Sequence, residues 1–186
     1  MVWLLAFVVA DIVVILWGIL TYNGLVRGKN LVAEGWSGID AQLKRRADLI
    51  PNLVATAKGY SAHERETFDE LARLRTAGQG QTGVAERAQT ETAITAALIR
   101  VFAVTESYPE LKASANFQQL QTALADTEDQ IQLARRYYNG AARNYNIMTE
   151  QFPSNLIAML GKFTPAPFFQ IENDFDRQTS NATFPG

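Results

Sequence analysis

The densest group of charged side chains in the sequence is the basic triplet Lys44-Arg45-Arg46, flanked by Asp40 and Asp48. A second basic pair, Arg135-Arg136, follows much later in the chain. Arginine and lysine bind phosphate and anionic lipid headgroups, and each gains about 1 kcal/mol near a charged leaflet. These residues could therefore form a phosphate or anionic-lipid site.

A structural ion-pair network is the alternative, and it is favoured. Arg46 falls on the apolar phase of its segment, and a buried charge must be paired, for example with Asp126 or Glu128. If the helix is straight, the distance from the membrane to the triplet also exceeds the Debye length of about 8–10 Å, so that salt screens its attraction to the lipids. The candidate members of this network are Arg45, Arg46, Asp48, Arg135 and Arg136.

Catalytic or metal-binding chemistry has little support in the sequence. His63, the one histidine, stands near Glu64 and Glu66 and could suggest a metal ligand or a general base. Without fixed partners, a solvated helix face is the favoured interpretation. The absence of cysteine excludes disulfides, thiolate zinc sites and cysteine nucleophiles. We predict no catalytic, cofactor-binding or metal-binding residue, and no enzyme.

The overall charge of the chain is nearly balanced, with 17 basic and 19 acidic residues among 186. A general nucleic-acid-binding protein should carry a clustered positive excess. The composition therefore argues against a nucleic-acid partner.

Residues 2–21 form an apolar segment that contains one charge. About 20 residues at 1.5 Å each span the hydrocarbon core of about 30 Å, and Trp3 and Tyr22 stand at its two ends, where aromatic rings favour the interface. A cleaved signal peptide is the rival interpretation, but it would need a basic residue before a shorter apolar run. We therefore predict an uncleaved, single-pass membrane anchor.

The charges around this segment predict its orientation. Arg27 and Lys29 follow the segment, whereas only the terminal amine precedes it. The positive-inside rule then places a short N-terminus outside and the C-terminal part in the cytoplasm.

Asp11 is a carboxylate near the middle of the span and costs about 2.5–3.5 kcal/mol there. Either the long apolar run tolerates it, or it faces another helix. The second interpretation makes Asp11 a candidate oligomer contact.

Beyond the span, apolar residues follow helical spacing in steps of three and four. The first pattern keeps its phase across Pro51, which predicts a kinked continuous helix to about Gly78; a turn at 47–51 is the alternative. A second helix is predicted over 84–107. A third, over 117–152, carries five heptads typical of coiled-coil packing. A short helix then stops at Gly161.

Long amphipathic helices with short reversals predict an all-α fold, in which a single N-terminal transmembrane helix leads into an antiparallel bundle of long helices. The predicted divisions are an anchor (2–21), a helical bundle (22–161) and an extended, partly disordered tail (162–186). In the tail, Phe168 and Phe169 are predicted to dock on the bundle. A partner-binding motif is the alternative.

Several specific runs of residues stand in a fixed order along the chain. They are YNGLV (22–26), KN (29–30), WSGIDAQLKRRADLIPNLVATAKGY (36–60), HERETF (63–68), AVTESYPELKASANFQQLQTAL (103–124), TEDQIQLARRYYNGAARNYN (127–146), FPSNLIAML (152–160) and KFTPAPFF (162–169). By these runs the chain resembles the LemA family from about residue 20 to 170. The resemblance implies a single-pass, all-helical bacterial protein without an established reaction, so that the predicted anchor would lie in the bacterial inner membrane. A magnetosome-associated relative links the family to membrane organisation. Gly28 and Gly35 depart from the family's pattern, in which better helix formers are usual.

These features together predict a non-enzymatic, membrane-anchored helical scaffold. It would self-associate as a homo-oligomer and organise membrane or recruit partners, which could include other membrane proteins besides the lipid bilayer. The alternative is a tethered adaptor or regulatory subunit of another membrane protein.

Overall fold

A computed structural model of the chain describes residues 1–59 and 64–170, and over that part the structure is all-α. The described helices are α1 (Val2–Lys58), α2 (Arg65–Gln79), α3 (Val84–Thr105), α4 (Pro109–Ala113), α5 (Ala115–Glu150) and α6 (Ser154–Leu160). The predicted fold class is confirmed, because a long apolar N-terminal helix leads into a bundle of long helices. The predictions for His63 and for residues 171–186 of the tail lie outside the described residues.

Backbone contacts divide the chain into two compact units. The first unit comprises Met1–Gly38 and Ala134–Phe168, and the second comprises Ile39–Leu133 and, at the end of the described residues, 169–170. Helices α1 and α5 each contribute residues to both units. The division into anchor, bundle and tail stays a prediction.

The second unit is built around one apolar core. Two of its aromatic rings, Phe102 and Phe117, meet edge to face with centroids 6.3 Å apart. Its buried members come from α1 to α5: Ile50, Leu53, Val54, Ala57, Phe68, Leu71, Ile94, Ala97, Leu98, Val101, Leu111, Phe117 and Leu124. They fall on the predicted stripes, since residues three and four apart share one face of a helix.

Helix α1 differs from its prediction at its C-terminal end. It continues through Pro51, as the preserved phase predicts, but it ends at Lys58 and does not run on to Gly78. Gly59 follows in a turn, and glycine costs a helix about 1 kcal/mol relative to alanine. A separate helix, α2, then brings Phe68 and Leu71 into the same core as the end of α1. Burial of these side chains favours two helices over one.

Helix α2 runs antiparallel to the end of α1. Lys58 Nζ lies 3.2 Å from Asp69 Oδ1, and Arg75 Nε donates a 2.6 Å hydrogen bond to the Ala47 carbonyl oxygen. Residues later in α2 therefore contact residues earlier in α1, as in any antiparallel pair of helices.

The first unit contains the start of α1, the end of α5, α6 and residues 161–168. Leu25, Tyr145 and Ala158 form its core, and Val32, Met148, Ile157, Phe163 and Ala166 pack around them. The start of α1 is long and apolar enough to span a membrane, and no part of its most apolar 18-residue window is buried.

Candidate functional site

Arg46 is the largest side chain that is almost fully buried, with 1% of its surface exposed. Its Nη1 donates hydrogen bonds to Glu128 Oε2 at 2.6 Å and to Thr95 Oγ1 at 2.9 Å. Its Nη2 donates to the Glu91 carbonyl oxygen at 3.3 Å and also to the Glu91 carboxylate. One guanidinium group thus joins α1 to α3 and α5 inside the second unit.

Glu91 lies between two arginines. Its Oε2 pairs with Arg46, while its Oε1 lies 2.9 Å from Nε of Arg87, one turn away on α3. Glu91 and Arg87 are 2% and 4% exposed. Glu128 completes the set and also accepts a 3.1 Å hydrogen bond from Gln132 Nε2. The ion-pair network, here Arg46, Arg87, Glu91 and Glu128, is buried except at Glu128, which is 29% exposed. It contains two positive and two negative charges and is neutral overall.

Helix α2 covers the Glu91 end of this network. Gly78 is buried there, and a Cβ atom on it would lie 3.5 Å from both Arg87 Nη1 and Glu91 Oε1. The carboxylate of Glu91 is therefore enclosed by protein. Buried ions separated from water need close partners, because their desolvation costs several kcal/mol per ion.

Of the five residues proposed for a network, Arg46 is the one that the structure places in it. Arg45, Asp48 and Arg136 are exposed, Arg135 is half-buried, and none of the four forms an ion pair within the described residues. Each residue turns a helix by about 100°, so Arg45 and Asp48 point away from the face that carries Arg46. Lys44 pairs at the surface with Asp40, at 2.6 Å.

The sequence prediction missed Arg87 and Glu91. Arg87 lies seven residues and Glu91 three residues before Ile94, and both therefore fall on the apolar stripe of α3. This is the same signal that singled out Arg46, a charge at an apolar position. Of the two proposed carboxylate partners, Glu128 is the one used, whereas Asp126 is exposed.

Asp11, the candidate oligomer contact, lies on the exposed start of α1. No ion pair to it is formed within the described part of the chain. In that same part, no group of three histidine, cysteine, aspartate or glutamate side chains could hold a metal ion.

The first unit has a different specialised feature, a close contact between glycines of α1 and tyrosines of α5. A Cβ atom on Gly35 would lie 3.0 Å from the Tyr138 Cα, and one on Gly28 would lie 3.1 Å from Cδ2 of Tyr145. Trp36 packs its ring against that of Tyr138, with centroids 5.9 Å apart. Gly28 and Gly35 are therefore places where α1 and α5 approach closely.

Helix α5 also holds the segment that follows α6. The Tyr138 hydroxyl donates a 2.7 Å hydrogen bond to the Pro167 carbonyl oxygen. Asn146 makes two bonds with Ala166, donating from Nδ2 at 2.9 Å and accepting the backbone N–H at 2.7 Å. Phe168 is 38% exposed and Phe169 is fully buried.

Burial raises the pKa of Tyr138 and Tyr145 above the ordinary value of 10.0. Because the folded state disfavours the phenolate, the two tyrosines stabilise the fold fully below the unfolded pKa. That stability is lost as the pH rises through their folded pKa values.

We therefore expect the free energy of unfolding to fall above about pH 10, and to fall less steeply in the double variant Tyr138→Phe, Tyr145→Phe. Urea unfolding at a series of alkaline pH values would measure both slopes. Tyr137→Phe, at a half-exposed neighbouring position, is the control. Equal slopes in the wild type and the double variant would contradict the role of these two phenols.

The family model described as LemA family matches residues 35–184. The chain is 28% identical over 178 residues to magnetosome protein MamQ 2 of Paramagnetospirillum magneticum, covering 82% of this chain and 65% of that protein. It is 30% identical over 140 residues to protein LemA of Metamycoplasma hominis, covering 73% of this chain and 63% of that protein.

A third relative, magnetosome protein MamQ of Magnetospirillum gryphiswaldense, is 25% identical over 177 residues, which cover 81% of this chain and 65% of the relative. The chain thus spans slightly less than two thirds of the length of these curated relatives. With the family match extending over most of its length, this chain belongs to the LemA family.

Proposed function

We propose that this LemA-family chain is a non-enzymatic, membrane-anchored helical scaffold that self-associates and organises membrane or recruits partners. The observation that carries the proposal is the uncovered apolar start of α1, which continues as one helix into the packed bundle. In this proposal residues 2–21 are the anchor, 22–161 the bundle and 162–186 the tail.

Lipid is the solvent that fits this surface. Water-soluble monomers rarely expose contiguous apolar patches larger than a few hundred Å². The start of α1 exposes apolar side chains along its length, from Trp3 at 81% to Leu20 at 71%, with Asp11 as the one charged residue among them. Relatives named as magnetosome proteins are consistent with a role at a membrane.

The orientation proposed for the anchor rests on its flanking charges. Arg27 and Lys29 are exposed on α1 just after the apolar residues. Cations there favour the cytoplasmic side, which puts the bundle in the cytoplasm and the short N-terminus outside the inner membrane.

Self-association is proposed to involve Asp11. A carboxylate inside the bilayer favours a position against another helix, where a hydrogen bond contributes about 1–2 kcal/mol in model peptides. The partner could be a second copy of this chain. In the second candidate function, an adaptor tethered beside another membrane protein, it would belong to that protein.

Crosslinking in membranes tests the role of Asp11. We expect Asp11→Ala to reduce the crosslinked dimers and larger species formed by the full chain, because the interhelical polar contact is lost. Leu16→Ala is the control, since it removes an exposed apolar side chain from the same helix. An unchanged oligomer pattern in Asp11→Ala would contradict this role.

A further inference from the structure

The end of the first unit carries a second exposed apolar surface, separate from the anchor in the sequence. It consists of residues 152–160, which follow the end of α5 and include α6, and is named here the tip segment. Phe152, Met159 and Leu160 are 74%, 72% and 79% exposed, and Leu156 is 45% exposed. Phe152 continues the apolar stripe of α5, but it is left uncovered because α5 ends at Glu150.

The tip segment packs against the part of α1 that is predicted to be inside the membrane. Ile157 Cδ1 lies 3.8 Å from the position that a Cβ atom of Gly18 would take. Just beyond, the rings of Phe163 and Tyr22 meet edge to face, with centroids 5.4 Å apart. A shallow cavity between α1 and α6 is lined by Ile15, Gly18, Ile19, Tyr22, Ile157, Leu160 and Gly161.

These contacts set the depth of the tip segment. Tyr22 stands at the membrane–water interface in the anchor assignment. Gly18 is four residues earlier in the same helix, about 6 Å deeper at 1.5 Å per residue. Helices that lie in the interface bury their apolar face by about 5–10 Å. Helix α6 therefore lies at the depth at which an interfacial helix is stable.

Charged groups around the tip segment fit the headgroup layer. Lys162 is exposed two residues after α6, and Arg27 and Lys29 are exposed on α1 about one and a half and two turns beyond Tyr22. Glu150, also exposed, is the acidic residue at this end of α5. The three cations can meet lipid phosphates, each with a gain of about 1 kcal/mol near an anionic leaflet.

We propose that the tip segment is a second membrane contact. It inserts Phe152, Met159 and Leu160 into the boundary between headgroups and acyl chains, in the leaflet where the anchor emerges. The inference rests on the proposed membrane anchoring and adds to it. A single spanning helix alone leaves the first unit free to tilt against the membrane plane, whereas a contact beside the anchor restricts that tilt.

The absence of cysteine in the chain allows a direct test by single-cysteine labelling. The full chain is reconstituted in vesicles of phosphatidylcholine and phosphatidylglycerol that contain a phospholipid with a nitroxide near the top of its acyl chain. Met159→Cys carries an environment-sensitive fluorophore. Tyr137→Cys is the remote control, 13 residues before the end of α5 at Glu150 and therefore about 20 Å along the helix. Ile15→Cys reports the anchor.

We expect the nitroxide to remove most of the emission at position 159 and to leave position 137 unchanged. Leu160→Cys, equally exposed, gives a second reading if the first variant does not fold. Quenching at position 15 without quenching at 159 or 160 would overturn the inference and leave the anchor intact. No quenching at any position would overturn both. Disulfide formation between two copies at position 159, without quenching by lipid, would assign the surface to a second chain and overturn the lipid contact.

Discussion

Replacing Arg46 with methionine is expected to lower the free energy of unfolding by about 3–5 kcal/mol, the usual cost of removing one partner from a buried ion pair. Methionine fills a similar volume but donates no hydrogen bond. Arg87 would then be the one arginine left in the network, and it pairs with Glu91. Glu128 would lose its ion pair, and the Thr95 hydroxyl would lose a donor.

Urea unfolding of the wild type, Arg46→Met and Arg45→Met measures this effect. Arg45 is adjacent in sequence and exposed, so its replacement should change stability by less than about 0.5 kcal/mol. The double variant Arg46→Met, Glu128→Gln removes one charge of each sign and keeps the Arg87–Glu91 pair. It should therefore be destabilised by less than the sum of its two single variants.

A wild-type free energy of unfolding in Arg46→Met would contradict a structural role for the network. If such a stable variant also lost a cellular phenotype, the basic group would have to be interpreted as a functional site.

Two alanine substitutions only three residues apart in α1 are expected to act in opposite directions. Gly38 has no heavy atom within 4 Å of the position of an added Cβ, so Gly38→Ala should stabilise the helix by about 0.5–1 kcal/mol. At Gly35 the new atom would lie 3.0 Å from the Tyr138 Cα, a backbone atom that cannot rotate away. Gly35→Ala should therefore force α1 and α5 apart and destabilise by about 1–3 kcal/mol, despite the gain in helix propensity.

Thermal unfolding followed by circular dichroism would compare the two variants with the wild type. Gly140→Ala, in α5, also meets no heavy atom within 4 Å and is a second control for helix propensity. Stabilisation of similar size in Gly35→Ala and Gly38→Ala would show that the close helix contact does not limit stability.

Hydrophobic periodicity predicted most of the helical architecture because each stripe is buried against its neighbours. Helix α3 begins at Val84, as predicted, and α5 occupies Ala115–Glu150 where the third helix was expected over 117–152. Helix α1 continues through Pro51. Its end at Lys58 was not predicted, because the same period continues on both sides of Gly59 and does not distinguish one helix from two packed antiparallel.

The ion-pair network was only partly predictable, for a physical reason. The charge at position 46 was recognised because it interrupts an apolar stripe, and Glu128 was named as a partner. The choice of Glu91 and Arg87 depends on which turn of α3 faces Arg46, and that register is fixed by packing between helices. Periodicity within one helix carries no information about it.

The glycines show the same limit. Gly28 and Gly35 read as weak helix formers in the sequence, yet in the structure they lie opposite Tyr145 and Tyr138. Whether a helical glycine weakens a helix or permits a close approach depends on what lies across from it. Phe152 continues the apolar stripe of α5, and that spacing predicted a buried side chain. It is exposed instead, because α5 ends two residues earlier at Glu150.

The most direct test of the proposed scaffold is the molar mass of the full chain extracted in detergent, measured by size-exclusion chromatography with light scattering. After subtraction of the detergent, a self-associating scaffold should give a discrete mass of two or more times the 20.6 kDa of one chain. A discrete monomer would contradict self-association and favour the tethered adaptor.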